Sequence, residues 1–204
     1  MEENTTLEAL ARWLHYMAGV MWIGHLWFFN FVNLNYQKDV PAELKKTVNP
    51  PLMLRALFMF RWGAMLTLLS GLFLLQKIHG LDGMKTGGFD TDRGRFMAMG
   101  ALFGVIMWIN VWFVIWPRQK KILGGMQGGP AADPKLAPQA ALASKINTYL
   151  SVPMLLGMLG GAHGNYVIFG GGWSGLLAGV AVGLGIVYVV YMLAPKVSNQ
   201  IVKP

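Results

Sequence analysis

The sequence predicts an all-α integral membrane protein, a helical bundle with about five transmembrane helices. Its composition, the length of its apolar blocks and the position of its charges all point that way. Of 204 residues, 54% are hydrophobic and 13% are charged, with a mean hydropathy of +0.45. A soluble domain carries about 25% charged residues. The apolar residues gather in blocks of ~20 or more, which at ~1.5 Å rise per residue is enough to cross a bilayer. Such blocks must be helical, because an open strand leaves its backbone unsatisfied in lipid. The net charge of +8 sits between the blocks, as membrane topology requires, so no nucleic-acid partner is expected. There is no cysteine, which excludes disulfides, thiolate zinc sites, iron–sulfur clusters and haem attached through C-x-x-C-H.

The spans expected are about 7–33, 55–77, 95–116, 147–169 and 173–194, with residues 1–204 forming a single transmembrane domain of haem-binding type. The first span follows an acidic start, Glu2-Glu3, that lacks the basic opening of a signal peptide, so this helix is expected to be retained. One side of the membrane collects Lys38, Lys45, Lys46, Lys120, Lys121 and Lys145, whereas on the other Lys85, Arg93 and Arg95 are diluted by Asp82, Asp90 and Asp92. The positive-inside rule then puts the N-terminus outside and the C-terminus in the cytoplasm. The implied location is a bacterial inner (cytoplasmic) membrane, crossed several times. Trp116-Pro117 is expected to end the third helix, because proline cannot continue the hydrogen-bond ladder. Residues 118–145, with their Gly-Gly and Pro/Ala-rich stretches, read as a flexible connector. The short Gly170-Gly171-Gly172 link makes the last two helices an antiparallel pair, and Gly175, Gly179 and Gly183 form a small-residue stripe for close packing.

The first helix carries the polar groups of most interest. Arg12, His15, Gly19 and Trp22 are spaced three, four and three apart and share one helical face. Ionisable residues at membrane depth are costly and by default functional. A neutral histidine avoids much of that cost by binding a metal. A ligand, a small residue and a flat aromatic on one face suit a buried planar cofactor, for which haem b is the first candidate. His163 in the fourth helix is expected at the depth of His15, ~10 Å below the same boundary, so the two could ligate one haem iron. Arg12, with Arg93 and Arg95, could pair with the haem propionates. The bland alternative is two histidines that hydrogen-bond across helices. His79 is a second-choice ligand, more simply read as a loop histidine. A second polar cluster is expected deeper, from His25, Arg61 and Asn110, where a quinone headgroup or a proton relay competes with a structural histidine and a snorkelling arginine.

Four stretches carry a family resemblance. They are His15-x3-Gly19-x2-Trp22-Ile23-Gly24 followed by Trp27-Phe28-Phe29-Asn30, Arg61-Trp62-Gly63-Ala64 with Ser70-Gly71, Asn110-x-Trp112-Phe113-x-Ile115-Trp116-Pro117, and Asn147-x-Tyr149-Leu150-x2-Pro153 followed by His163. Together they resemble the membrane domain of bacterial membrane-bound urate hydroxylase, the urate oxidase N-terminal-like family. The opening is also similar to membrane protoporphyrinogen oxidase, another haem-b helical bundle. The resemblance implies a redox membrane domain working with a c-type cytochrome. Two departures stand out: the covalent cytochrome c domain is absent from these 204 residues, and Ile146 stands where a histidine is expected. The function expected is electron transfer through haem b, with a c-type cytochrome or a larger respiratory complex as partner. The alternatives are an oxidoreductase acting on urate or another small reductant, and a non-redox structural subunit of a respiratory membrane complex.

Overall fold

The computed structural model describes residues 2–76, 90–163 and 169–202, with side chains described for 6–76, 90–160 and 169–201. Among them there is no strand; five helical rods run antiparallel in chain order. The first, α1, runs as Glu2–Trp27, a π-helical turn Phe28–Asn33 and Leu34–Asp39. The second, α2, is Ala42–Leu74. The third, α3, is Asp92–Ile109, a π turn Asn110–Ile115 and Trp116–Met126. Then follow α4, Leu136–His163, and α5, Gly172–Val202. The end of the bundle at which α1 begins is called proximal here, and the opposite end distal.

Among the described residues, four rods are long and apolar enough to cross a membrane: Thr6–Asp39, Ala42–Leu74, Asp92–Met126 and Gly172–Ile201. The protein is therefore a multi-pass membrane protein. The fifth rod, α4, is different in kind. Its Asn147, Thr148 and Ser151 have no solvent-accessible surface. A helix can carry such residues at this depth only if neighbouring helices supply hydrogen-bond partners, and α4 packs against α3, α5 and the distal part of α1.

The rods run past the boundaries expected from sequence. Pro117 does not end the third helix, which continues to Met126. A proline deprives the carbonyl four residues back of its usual donor, and here that carbonyl belongs to Phe113. The preceding π turn loosens the ladder, and Arg118 Nη1 donates to Phe113 O at 3.4 Å and Val114 O at 3.1 Å. The connector to α4 thus shrinks to residues 127–135. Likewise α2 begins at Ala42 rather than near 55 and passes through Pro50 and Pro51, with Arg55 Nη1 donating to Pro51 O at 2.8 Å. A π turn leaves a carbonyl unpartnered where the bonding switches from i−4 to i−5. The carbonyls just upstream of both π turns are supplied by amides: Asn30 Nδ2 donates to Leu26 O at 2.9 Å, and Asn147 Nδ2 to Met107 O at 2.9 Å.

Glycines set the approach of the rods. In lipid, helices associate through close packing rather than through hydrophobic burial, so small residues mark the seams. Gly157 of α4 lies against the backbone of Phe96 and Gly100 of α3, with no room for a Cβ. On α5, Gly179 faces Leu156 and Gly183 faces Pro153, the packing expected of the glycine stripe. In the link before α5, Gly170 and Gly172 take φ of +82° and +72°, a region that L side chains avoid. The Gly172 N–H donates to Asp92 Oδ1 at 2.7 Å, tying the start of α5 to the start of α3.

Substituting Gly157→Val is expected to destabilise the bundle by ~1–3 kcal/mol, the usual cost of overpacking. An unchanged midpoint in a detergent-unfolding titration would show that the α3–α4 seam is looser than described.

Candidate functional site

The proximal half of the bundle encloses a cavity of about 180 Å³, opening at its mouth into a wider cleft. Its walls include Thr67 and Gly71 of α2, Ala101 and Gly104 of α3, and Met154 and Met158 of α4, with His15 and Trp22 presented by α1. The helical spacing of His15 and Trp22 turns both toward α2 while Trp13 and Met17 face outward, 66% and 59% exposed; Tyr16, 45% exposed, also borders the cavity.

The position of the imidazole has a definite cause. His15 Nδ1 lies 3.2 Å from Ser70 Oγ. Ser70 in turn lies 2.6 Å from Leu66 O and 3.2 Å from Thr67 O. A hydroxyl has one proton, and so short an approach to a carbonyl oxygen requires that proton between them. Ser70 Oγ is therefore an acceptor toward the ring, so Nδ1 carries the hydrogen and Nε2 carries a lone pair. The ring also meets the Thr67 backbone carbonyl, an acceptor that favours a protonated ring nitrogen on that side. Gly71 makes the seat possible: a Cβ there would come 2.9 Å from His15 Cε1. The other notable group is Trp22, 2% exposed, which lines the same cavity and whose indole N–H is buried without an acceptor among the described residues.

The remaining residues expected at this site fall as follows. Arg12 lines the cavity mouth, but Glu8 Oε1 accepts from its Nη2 at 2.7 Å and its Nε at 3.0 Å. Gly19 does not line the cavity, and a Cβ on it would meet nothing within 4 Å. The close approaches come from Gly63 and Gly71 of α2 instead. Arg95 is bonded to Asp92 at 3.0 Å and lies over the Trp173 ring. His79 lies outside the described residues. His163 closes α4, and its side chain lies outside the described ones. The axial level of its backbone follows from Trp27 Nε1 donating to Ser151 Oγ at 3.0 Å. His15 is twelve residues from Trp27, and His163 twelve from Ser151, both toward the proximal end. Equal rise along the two rods brings both backbones to a similar level.

The second cluster expected from sequence separates into three environments. His25 Nδ1 bonds Met21 O of its own helix at 2.7 Å. Arg61 sits in a tryptophan cage, with its guanidinium carbon 4.8 Å from the Trp112 ring and 4.2 Å from that of Trp116. Asn110 Nδ2 donates to Asn147 Oδ1 of α4 at 2.8 Å. Among the described residues no hydrogen bond links the three. Sequence reasoning overlooked Ser70 and Gly71 as shapers of the site, along with Met154 and Met158. The spacing of Gly63, Thr67, Ser70 and Gly71 down one face of α2 is the signal that could have found the first two.

Comparison with known proteins adds one decisive finding. The sequence profile of the urate oxidase N-terminal family matches residues 84–201, more than half of the chain and the whole of α3 and α4. The chain belongs to the urate oxidase N-terminal family. No curated protein and no solved structure matches it. The α3 and α4 walls of the proximal cavity lie inside the stretch matched to the family, whereas His15 and Ser70 precede it.

Replacing Ser70 with Ala removes the side-chain acceptor for His15 Nδ1–H and leaves the Thr67 backbone carbonyl. In ¹⁵N-histidine spectra the native protein is expected to hold His15 as the Nδ1-protonated tautomer, and Ser70→Ala to shift it toward a mixture. An Nε2-protonated ring in the native protein would overturn the assignment.

Proposed function

We propose that the protein is a membrane-embedded electron-transfer subunit whose proximal cavity would hold haem b, with His15 and His163 as the residues that would ligate the iron. The observation that carries the reading is the His15 imidazole, whose Nδ1 is committed to Ser70 so that the Nε2 lone pair is left for a metal. A ligand histidine oriented by a hydrogen bond through its other nitrogen is the general pattern of metal sites. Among the described residues no three His, Cys, Asp or Glu side chains converge. A macrocycle that brings its own four nitrogens needs only axial protein ligands, which suits a lone imidazole.

The residues present fit such a group. The lining is predominantly apolar, which lowers the local dielectric and is one of the means by which a protein tunes a haem potential. The unpartnered Trp22 N–H in the wall is a donor awaiting an acceptor. A tetrapyrrole would take up the open cleft as well as the enclosed 180 Å³, since ligand pockets usually run from ~300 Å³ upward. Bound there, the iron supplies one-electron redox chemistry. The chain supplies the rest: Ser70 fixes the ring tautomer, Gly71 clears the ring's seat, and the methionines and small residues of α3 and α4 keep water out. Arg12 at the mouth could turn from Glu8 toward a propionate. The electron partner in this reading is a c-type cytochrome or a larger respiratory complex. The membrane is a bacterial inner membrane, with the N-terminus outside as the loop charges favour.

A second reading follows from the family's description as urate oxidase N-terminal: an oxidoreductase that takes electrons from urate or another small reductant and passes them on.

The test is a reduced-minus-oxidised visible spectrum of the purified protein beside His15→Ala and His163→Ala. Sharp α and Soret bands are expected in the native protein and absent or strongly altered in both variants. Loss in His15→Ala alone would keep the haem and move the second ligand elsewhere. A colourless, folded native protein, still colourless with its partner subunits present, would favour a structural subunit. Added urate reducing the bands would separate the second reading from the first.

A further inference from the structure

The distal end holds a second, larger cavity of about 750 Å³, to which all five rods contribute. It is unrelated to His15, which lies toward the opposite end of α1. Its interior wall is apolar, formed by Met53 and Leu57 of α2 with Ile115 and Leu123 of α3. Its mouth is not. Lys145 of α4 lies near the Tyr191 ring of α5, and Tyr188 of α5 and Gln119 of α3 also line the cavity. Two further lining residues, Leu142 and Met192, are 60% and 48% exposed. Exposed apolar side chains on membrane-spanning rods face lipid, so the mouth opens sideways into the bilayer rather than only into water.

The charge in this mouth is unbalanced. Lys145 is the single charged residue lining the cavity, and no acidic residue lines it. Among the described residues no carboxylate pairs with it; its nearest recorded partner is the Tyr191 ring, 5.9 Å away. The acceptors nearby are already engaged. Asn30 Oδ1 accepts from the Tyr191 hydroxyl at 3.0 Å, and the Ser144 hydroxyl accepts from Asn30 Nδ2 at 2.8 Å. The Gln37 and Asn49 amides satisfy each other at 2.7 and 3.0 Å. What remains is the lysine ammonium, which can only donate, with the Gln119 amide and the Tyr188 hydroxyl, which can donate or accept. This end of the bundle also carries Lys38, Lys45, Lys46, Lys120 and Lys121.

We propose that the distal cavity is a binding site for an anionic phospholipid, its phosphate at Lys145 and an acyl chain in the cavity lined by Met53, Leu57, Ile115 and Leu123. The apolar interior needs an apolar occupant, the lipid-facing mouth admits one from the bilayer, and the one unbalanced cation selects a head that is anionic. Basic pockets between transmembrane helices on the positively charged side recognise lipid heads in this way. A neutral headgroup would leave Lys145 uncompensated, and a soluble anion would leave the apolar interior unfilled.

The experiment uses the full-length protein in nanodiscs of phosphatidylcholine and measures the immobilised fraction of spin-labelled lipids. Labelled phosphatidylglycerol is expected to bind about fivefold more tightly than labelled phosphatidylcholine, the preference that one lysine near the surface confers. Lys145→Met should bring that ratio close to one and Lys145→Arg should keep it. Met53→Trp, which fills the interior without touching the charge, should remove the immobilised component for both lipids. Circular dichroism checks that each variant is folded. A preference unchanged in Lys145→Met overturns the headgroup assignment, and immobilisation unchanged in Met53→Trp overturns the cavity as the seat of the chain. Labelled palmitate binding as tightly as phosphatidylglycerol would replace the phospholipid with a free fatty acid and overturn the proposal as stated.

Discussion

A polar group at membrane depth has no water to turn to, so leaving it without a partner inside the bundle is costly. This constraint explains how α4 can carry a fully enclosed polar stretch. Its Asn147, Thr148 and Ser151 are fully enclosed, and their partners come from other helices as well as from α4 itself. Trp27 reaches Ser151, Asn110 reaches Asn147, and Asn147 reaches the Met107 carbonyl. These bonds fix the register of α1 and α3 against α4. Once Trp27 is level with Ser151, the levels of His15 and the end of α4 follow from helical rise alone. Interhelical bonds of this kind each contribute modestly, ~0.6–2 kcal/mol, but they specify which turn meets which.

The same constraint accounts for the two π turns. Each leaves a carbonyl in need of a donor, and each lies beside an asparagine bonded to α4. In α1 that residue is Asn30, bonded to Ser144; in α3 it is Asn110, bonded to Asn147. At the α3 turn α4 itself supplies the missing donor, through Asn147, whereas at the α1 turn Asn30 supplies it from its own helix while bonded to Ser144 of α4. A consequence is length. At 33 residues, α2 extends ~50 Å against a hydrocarbon thickness of ~30 Å. The rods must tilt or project beyond the lipid, and their basic residues are densest at the distal end, beside the larger cavity.

Composition and block length made the membrane bundle legible, because both are dictated directly by the solvent. The α4–α5 glycine contacts were legible for the same reason, being set by the spacing of one helix. The prolines were not. Pro117 reads locally as a stop, and only the π turn before it and the Arg118 guanidinium beside it explain why the rod continues. At the proximal site the helical face of His15 and Trp22 could be read from their spacing, but Gly19 could not be assigned, since which glycine meets which helix depends on crossing geometry. Ser70 was obscured by its chemistry: a serine in a membrane helix can bond its own i−4 carbonyl, as this one does, and so needs no second role. The inner cluster of His25, Arg61 and Asn110 was inferred from depth alone, and depth carries no information about which direction around the helix each side chain takes. The distal cavity had no signature, because its lining is drawn from all five rods.

Ser70 and Gly71 are consecutive, and their two functions are inseparable from that fact. Successive helical residues differ by ~100° in direction, so one seam can present a hydroxyl to one edge of an imidazole and an empty space to the next. A larger residue at Gly71 would move the ring off Ser70, and loss of the hydroxyl would free the ring to choose its tautomer. The imidazole is thus oriented by α2 before any cofactor is considered. The family profile, by contrast, covers α3, α4 and nearly all of α5, which form the far wall of the cavity and not the histidine's seat. Family membership therefore speaks for the enclosure, while the chemistry assigned to His15 rests on the geometry of α1 against α2 in this chain and has to be tested there.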